Sequence, residues 1–76
     1  ALAFEAISKG GNMPCIVNAA KEVVNEAFRH DRCSFVQMAD VIAETMQRTT
    51  FNNNPTLDTY FNTDAEARRI ANELIN

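Results

Sequence analysis

The reactive side chains of this sequence are few: two cysteines, Cys15 and Cys33, one histidine, His30, and a serine, Ser34, that opens an apolar run. A cysteine nucleophile needs a base to take its proton, so His30 with Cys15 or Cys33 is the dyad to weigh. His30 lies among Arg29, Asp31 and Arg32, in a stretch that reads as an exposed helix end, where a cation meets the helix dipole favourably. Its expected role is structural. Cys15 falls in the first turn of a helix, a place that lowers a thiol pKa, yet its apolar neighbours favour an inert packed thiol. The two cysteines form no Cys-x-x-Cys pair or zinc-ligand pattern, and both read as buried thiols of a cytoplasmic protein. The carboxylates Glu22 and Glu26, and likewise Asp40 and Glu44, stand at i,i+4 spacing, the pattern of a solvated helix face. Gly10-Gly11 lacks the spaced third glycine and preceding strand of a nucleotide-binding loop. No catalytic, cofactor-binding or metal-binding position is therefore expected in this chain.

The elements that hold these residues follow from apolar period and punctuation. β-branched residues never alternate with polar ones over a strand's length, so the expected fold is all-α. A first segment, about Leu2 to Lys9, is apolar on nearly every side and is stopped by Gly10 and Gly11. Asn12 is placed to cap the next helix, with Pro14 in its first turn, where a missing N–H costs nothing. Ile16, Ala19, Ala20, Val23, Ala27 and Phe28 form its inward stripe, and the small Ala19 and Ala20 admit a close neighbour. Lys21, Glu22, Asn25, Glu26 and Arg29 lie mostly outside that stripe.

The turn "HDRC" leads to Ser34, which with Gln37 has the form of a capping box. The helix it opens carries Phe35, Met38, Val41, Ile42 and Met46 on one face and ends near Arg48. From Thr49 to Pro55, "TTFNNNP" is turn chemistry. Thr56 is read as the cap of a single turn bearing Leu57, Tyr60 and Phe61, and Thr63 with Glu66 as a second capping box. The last helix then buries Ala67, Ile70, Ala71, Leu74 and Ile75. Four helices with short connections predict a small bundle or orthogonal array.

Composition bounds what such a bundle does. With 76 residues there is room for one domain, and 46% apolar with 22% charged residues marks a chain that folds. A net charge of −3, with Lys and Arg spread along the chain, offers no stripe for phosphate backbones, so nucleic acid is not an expected partner. No apolar run approaches the roughly 20 residues of a membrane span, and "ALAFEAISK" lacks a positive leader. Without an initiator Met, the chain is expected to start within a longer one. The apolar Leu2, Ala3, Phe4, Ala6 and Ile7 surround the first segment, from which weak self-association is expected.

Two resemblances bear on function. An acidic four-helix chain with a serine at a helix start is similar to the phosphopantetheine carriers, which would make Ser34 an attachment point. Those carriers have Asp-Ser-Leu there, whereas this chain has Cys33-Ser34-Phe35, and capping already accounts for Ser34. The stretch "GGNMPCIVNAAKEVVNEAF" resembles the glycine-glycine, proline, Asn-Ala-Ala-x-Glu-Val and Ala-Phe signature in the C-terminal domain of the 1-deoxy-D-xylulose 5-phosphate reductoisomerases. "SFVQMADVIAETM" resembles that domain's next helix, and "NPTLDTYFNTDAEARRIANELI" its ending, so the likeness covers nearly the whole chain. Lys21 departs from it, standing where the family commonly has asparagine.

The resemblance implies a helical bundle at the end of a longer bacterial, cytoplasmic enzyme. That enzyme converts its sugar phosphate to 2-C-methyl-D-erythritol 4-phosphate with NADPH and a divalent metal, Mg or Mn, in non-mevalonate isoprenoid synthesis. The family's NADPH fold, metal carboxylates and phosphate-binding residues lie upstream and carry over to no position here. The implied partners are thus the N-terminal and catalytic domains of the same polypeptide. Gly10, Gly11, Asn18 and Glu22 would shape a helix junction that supports the catalytic domain.

Overall fold

The structure, a computed structural model, describes residues 10–76. Three α-helices make up the described fold: α1 over Met13–Arg29, α2 over Phe35–Arg48 and α3 over Leu57–Ile75. The all-α expectation holds. The expected helix at Leu2–Lys9 lies outside the described residues, and so does the self-association surface read from it.

α1 is the central element and packs against both other helices, which touch each other less. Its Met13, Ile16, Val17, Ala19, Ala20, Val23, Val24 and Ala27 are all buried. All but Ala27 form one cluster with Val41 and Ile42 of α2 and Ala67 and Ala71 of α3, with Met38, Met46, Leu74 and Ile75 half-covered around it. The alanines at the contacts let backbones approach closely. Of three buried threonines, two satisfy their hydroxyls on α2 carbonyls: Thr45 donates to that of Val41 and Thr49, the cap residue, to that of Thr45, both at 2.7 Å.

The helix ends are set by local chemistry. α1 closes with the backbone N–H of Asp31 on the Phe28 carbonyl and that of Arg32 on the Ala27 carbonyl, the paired bonds of a Schellman motif. Asp31 takes the left-handed position (φ 59°) that glycine usually fills. α2 opens on a complete capping box: the Ser34 hydroxyl accepts from the Gln37 N–H at 3.1 Å, and the Gln37 side chain accepts from the Ser34 N–H at 2.9 Å.

Several expectations need correction. Leu57–Ile75 is one continuous helix, opened by Thr56, whose hydroxyl accepts from the Thr59 N–H. No glycine or proline interrupts it. Thr63 and Glu66 therefore cap nothing: both point from the middle of α3 to residues outside it. Phe28 is not in the inward stripe but about half exposed, its ring set edge-on to Phe35 at 6.4 Å. Phe35 itself is 77% exposed rather than on the covered face of α2. Cys33 is buried as read, but Cys15 is only half-buried, and both thiols are free.

Candidate functional site

Two polar clusters join elements across the fold, and they differ in depth. The first surrounds Asn12, just before α1, which is 1% exposed. Asn12 occupies the cap position, but its side chain makes no capping bond. Its amide instead donates to the Thr50 carbonyl at 3.0 Å and to the Thr63 hydroxyl at 2.8 Å, while its oxygen accepts from the Asn52 N–H at 2.8 Å. Its own backbone N–H donates to the Asn52 carbonyl at 3.0 Å. Glu66, one turn beyond Thr63, accepts from the N–H and hydroxyl of Thr50. The Thr49–Pro55 loop is thereby fastened to the start of α1 and the middle of α3.

Gly11 makes this approach feasible. It has φ 55°, and a Cβ there would collide with the Asn52 carbonyl oxygen. Gly10 also has positive φ, 71°, but faces open space. Gly11 thus lets the chain pass against the loop backbone, which no capping rule foretells.

The second cluster lies on the surface where α1 and α3 run side by side. The Arg68 guanidinium donates to Glu22 at 2.6 Å and to Asp64 at 2.8 Å, and the Asn18 amide donates to Glu22 at 3.1 Å. Two i,i+4 pairs, one per helix, are thus linked by a single arginine. Arg68 holds the Glu22 carboxyl below the usual carboxylate range, with help from Asn18. The carboxylates in turn raise the guanidinium pKa. At the same face the Cys15 thiol approaches the Tyr60 carbonyl at 3.7 Å. Burial pushes the Cys15 pKa up, Asp64 adds to this and Arg68 opposes it, so the thiolate is disfavoured.

The remaining sequence-singled residues do not converge. His30 caps the end of α1 beside Glu26 at 2.9 Å, and Arg29 takes the other Glu26 oxygen at 2.6 Å, holding that carboxyl below its usual range. Glu44 pairs with Arg48 at 2.7 Å. Ser34 is committed to its capping box. A groove of about 420 Å³ between α2 and the end of α3 is lined by Arg32, Cys33, Asp40, Glu44, Arg48 and Leu74 among others. Its two arginines offset its two carboxylates, which suits neither an anion nor a cation.

No group of three His, Cys, Asp or Glu among the described residues is placed to hold an ion. At the start of α1 the Asn12 and Met13 N–H groups are bonded within the loop junction, and Pro14 has none. What sequence reading missed is the pairing of Asn18-Glu22 with Asp64-Arg68. The i,i+4 spacings were visible, but their union depends on how two helices dock.

Comparison with known proteins gives this chain a family. The profile of the "DXP reductoisomerase C-terminal domain" family matches residues 1–70. A 1-deoxy-D-xylulose 5-phosphate reductoisomerase of Bacteroides fragilis is 61% identical over 75 residues, which is 99% of this chain and 19% of that protein. The reductoisomerase of Bacteroides thetaiotaomicron is 63% identical over 75 residues, again 99% of this chain and 19% of the relative. That of Phocaeicola vulgatus is 54% identical over 76 residues, covering all of this chain and 20% of the relative. The chain thus spans about a fifth of the length of these relatives. The likeness runs to the reductoisomerases and leaves the carrier reading of Ser34 without support. With a family match over residues 1–70 and three helices in the described part, the chain belongs to the DXP reductoisomerase C-terminal domain family.

Proposed function

We propose that residues 1–76 form the C-terminal helical domain of an enzyme that converts 1-deoxy-D-xylulose 5-phosphate to 2-C-methyl-D-erythritol 4-phosphate with NADPH and a divalent metal. The observation that carries this reading is 61% identity across 99% of the chain to a reductoisomerase. In it the domain contributes no catalytic, cofactor or metal ligand and acts by supporting the catalytic domain. The polar groups described above support that division of labour, since they are spent on each other. The setting is the bacterial cytoplasm, a reading supported by the two free thiols. Among the described residues, no helix is long and apolar enough to cross a membrane.

The test is kinetic. The 76-residue chain mixed with NADPH, manganese and the sugar phosphate is expected to leave nicotinamide absorbance unchanged, whereas the full-length enzyme consumes it. Turnover by the short chain overturns the division of labour; an inactive full-length enzyme overturns the assignment. Weak self-association of the isolated chain, through the apolar side chains Leu2, Phe4 and Ile7, belongs to the same reading. Sedimentation equilibrium checks it, with Phe4→Asp expected to leave a monomer.

A further inference from the structure

We infer that the α1–α3 face bearing Leu57, Phe61 and the Asn18–Glu22–Arg68–Asp64 network is the surface on which this domain docks to the preceding, catalytic part of its own polypeptide. The inference rests on the proposed function and adds to it the face that makes the contact.

Along α3, Leu57, Phe61, Asp64 and Arg68 recur at steps of four, three and four, so they share one stripe. That stripe lies beside the core-facing one of Thr63, Ala67, Ile70 and Ala71, on the side toward α1. Leu57 is 71% and Phe61 69% exposed, and Tyr60 next to them is 42% exposed. A large apolar ledge thus runs directly into a polar network whose groups are already oriented by one another. An apolar centre with ordered polar groups at its border is the anatomy of a protein interface.

A second exposed apolar pair, Phe35 and Val36, is equally bare, at 77% and 76%. Position distinguishes the two. α1 and α3 run in the same direction, since Cys15 meets Tyr60 and Glu22 meets Arg68. The starts of both helices, and with them Leu57 and Phe61, therefore lie at the Gly10 end of the bundle. Phe35 lies at the opposite end, beyond the 17 residues of α1, roughly 25 Å away. A C-terminal domain is joined to its enzyme on its N-terminal side, so the rest of the polypeptide connects to the described helices through Gly10. Most of the enzyme lies outside this chain, which spans 19% of its relatives' length. The ledge nearest that connection is the one positioned to be covered. Phe35, moreover, already has a ring neighbour in Phe28.

Hydroxyl-radical footprinting of the full-length enzyme, read by mass spectrometry, tests the assignment without a substitution. Phe61 and Phe35 have the same intrinsic reactivity and nearly equal exposure here, so their relative rates report only what covers them in the whole enzyme. Phe61 is expected to be modified several-fold more slowly than Phe35. Equal rates, or slower modification at Phe35, overturn the inference. As a second readout, Phe61→Asp is expected to speed proteolytic release of the domain from the full-length enzyme, with Phe35→Asp without effect; the same release rate in both variants also overturns it. NADPH-dependent turnover measured on the same preparation separates the two claims. An active enzyme with a freely modified Phe61 loses the docking face alone, whereas a chain with no turnover loses the functional reading.

Discussion

Asn12 and Arg68 occupy similar roles in outline and opposite ones in energy. Each is a single polar side chain that joins segments far apart in sequence, Asn12 tying α1's start to the Thr49–Pro55 loop and α3, Arg68 tying Glu22 on α1 to Asp64 on α3. Asn12 is 1% exposed, so a partner it loses is not replaced by water. The Arg68 side chain is 39% and that of Glu22 55% exposed, where water and salt compete for every bond. The buried hub therefore holds the fold, and the surface network contributes little to it. A surface network that is ordered but adds little stability is better suited to presenting a face than to fastening one.

Substitutions at the hub should show the largest effects. Gly11→Ala adds a Cβ against the Asn52 carbonyl at a positive φ, where no side chain can swing away. It is expected to cost about 3–5 kcal/mol, the sum of a left-handed penalty and a backbone collision. Gly10→Ala is its control: it has the same sign of φ but open space around it, and about 1–2 kcal/mol is expected from the left-handed conformation alone. Urea denaturation of both variants measures the difference. Equal losses would show that the loop does not press on Gly11.

Asn12→Ala ranks next. It leaves the Thr63 hydroxyl, the Thr50 carbonyl and the Asn52 N–H without their partner, for an expected loss of about 3 kcal/mol. Denaturant midpoints measure it. A loss no greater than that of an ordinary cap would mean that the hub is hydrated in solution.

Ser34→Ala removes one half of a capping box at an exposed helix start, and about 1 kcal/mol is expected, read as a drop of several degrees in melting temperature. Thr63→Ala was expected from its sequence position to do the same at the start of a last helix. Its loss should instead be coupled to Asn12, so the double variant Asn12→Ala, Thr63→Ala falls short of the sum of the singles.

This contrast marks where the sequence is legible. Ser34 and Gln37 lie three residues apart and act on the same turn, so the pattern alone specifies the bond. Pro14, the end near Arg48 and the asparagine-rich loop were readable for the same reason. Thr63 and Glu66 show an identical spacing, yet their partners are Asn12 and Thr50, and a helix with no glycine or proline from Leu57 to Ile75 simply runs through them. Spacing cannot tell a cap from a tertiary anchor when the deciding partner is 51 residues away. The same holds for Phe35 and Phe61. Periodicity groups them with apolar neighbours, but which face meets the core depends on the neighbouring helix, and which meets another domain depends on residues beyond this chain.

The smallest effect is expected at the surface network, and its pH dependence separates it from the hub. Arg68 holds the folded-state pKa of Glu22 below its ordinary value of 4.5. A carboxylate with a depressed folded pKa adds stability that is present above its unfolded pKa and is lost as pH falls through the folded one. Arg68→Gln removes the guanidinium whose hydrogen bond, and then charge, produces that depression. Its melting temperature should therefore lie slightly below that of the parent chain at neutral pH, by less than the Ser34→Ala drop. The gap should narrow as pH falls below 4.5, and also as salt screens the exposed pair. Asn12→Ala behaves differently, because its lost partners are a hydroxyl, a carbonyl and an amide N–H, none of which titrates in that range. Its deficit against the parent chain should stay constant across the same acid series. An Arg68→Gln deficit that persisted in acid, or exceeded that of Ser34→Ala, would place the network among the elements that hold the fold together.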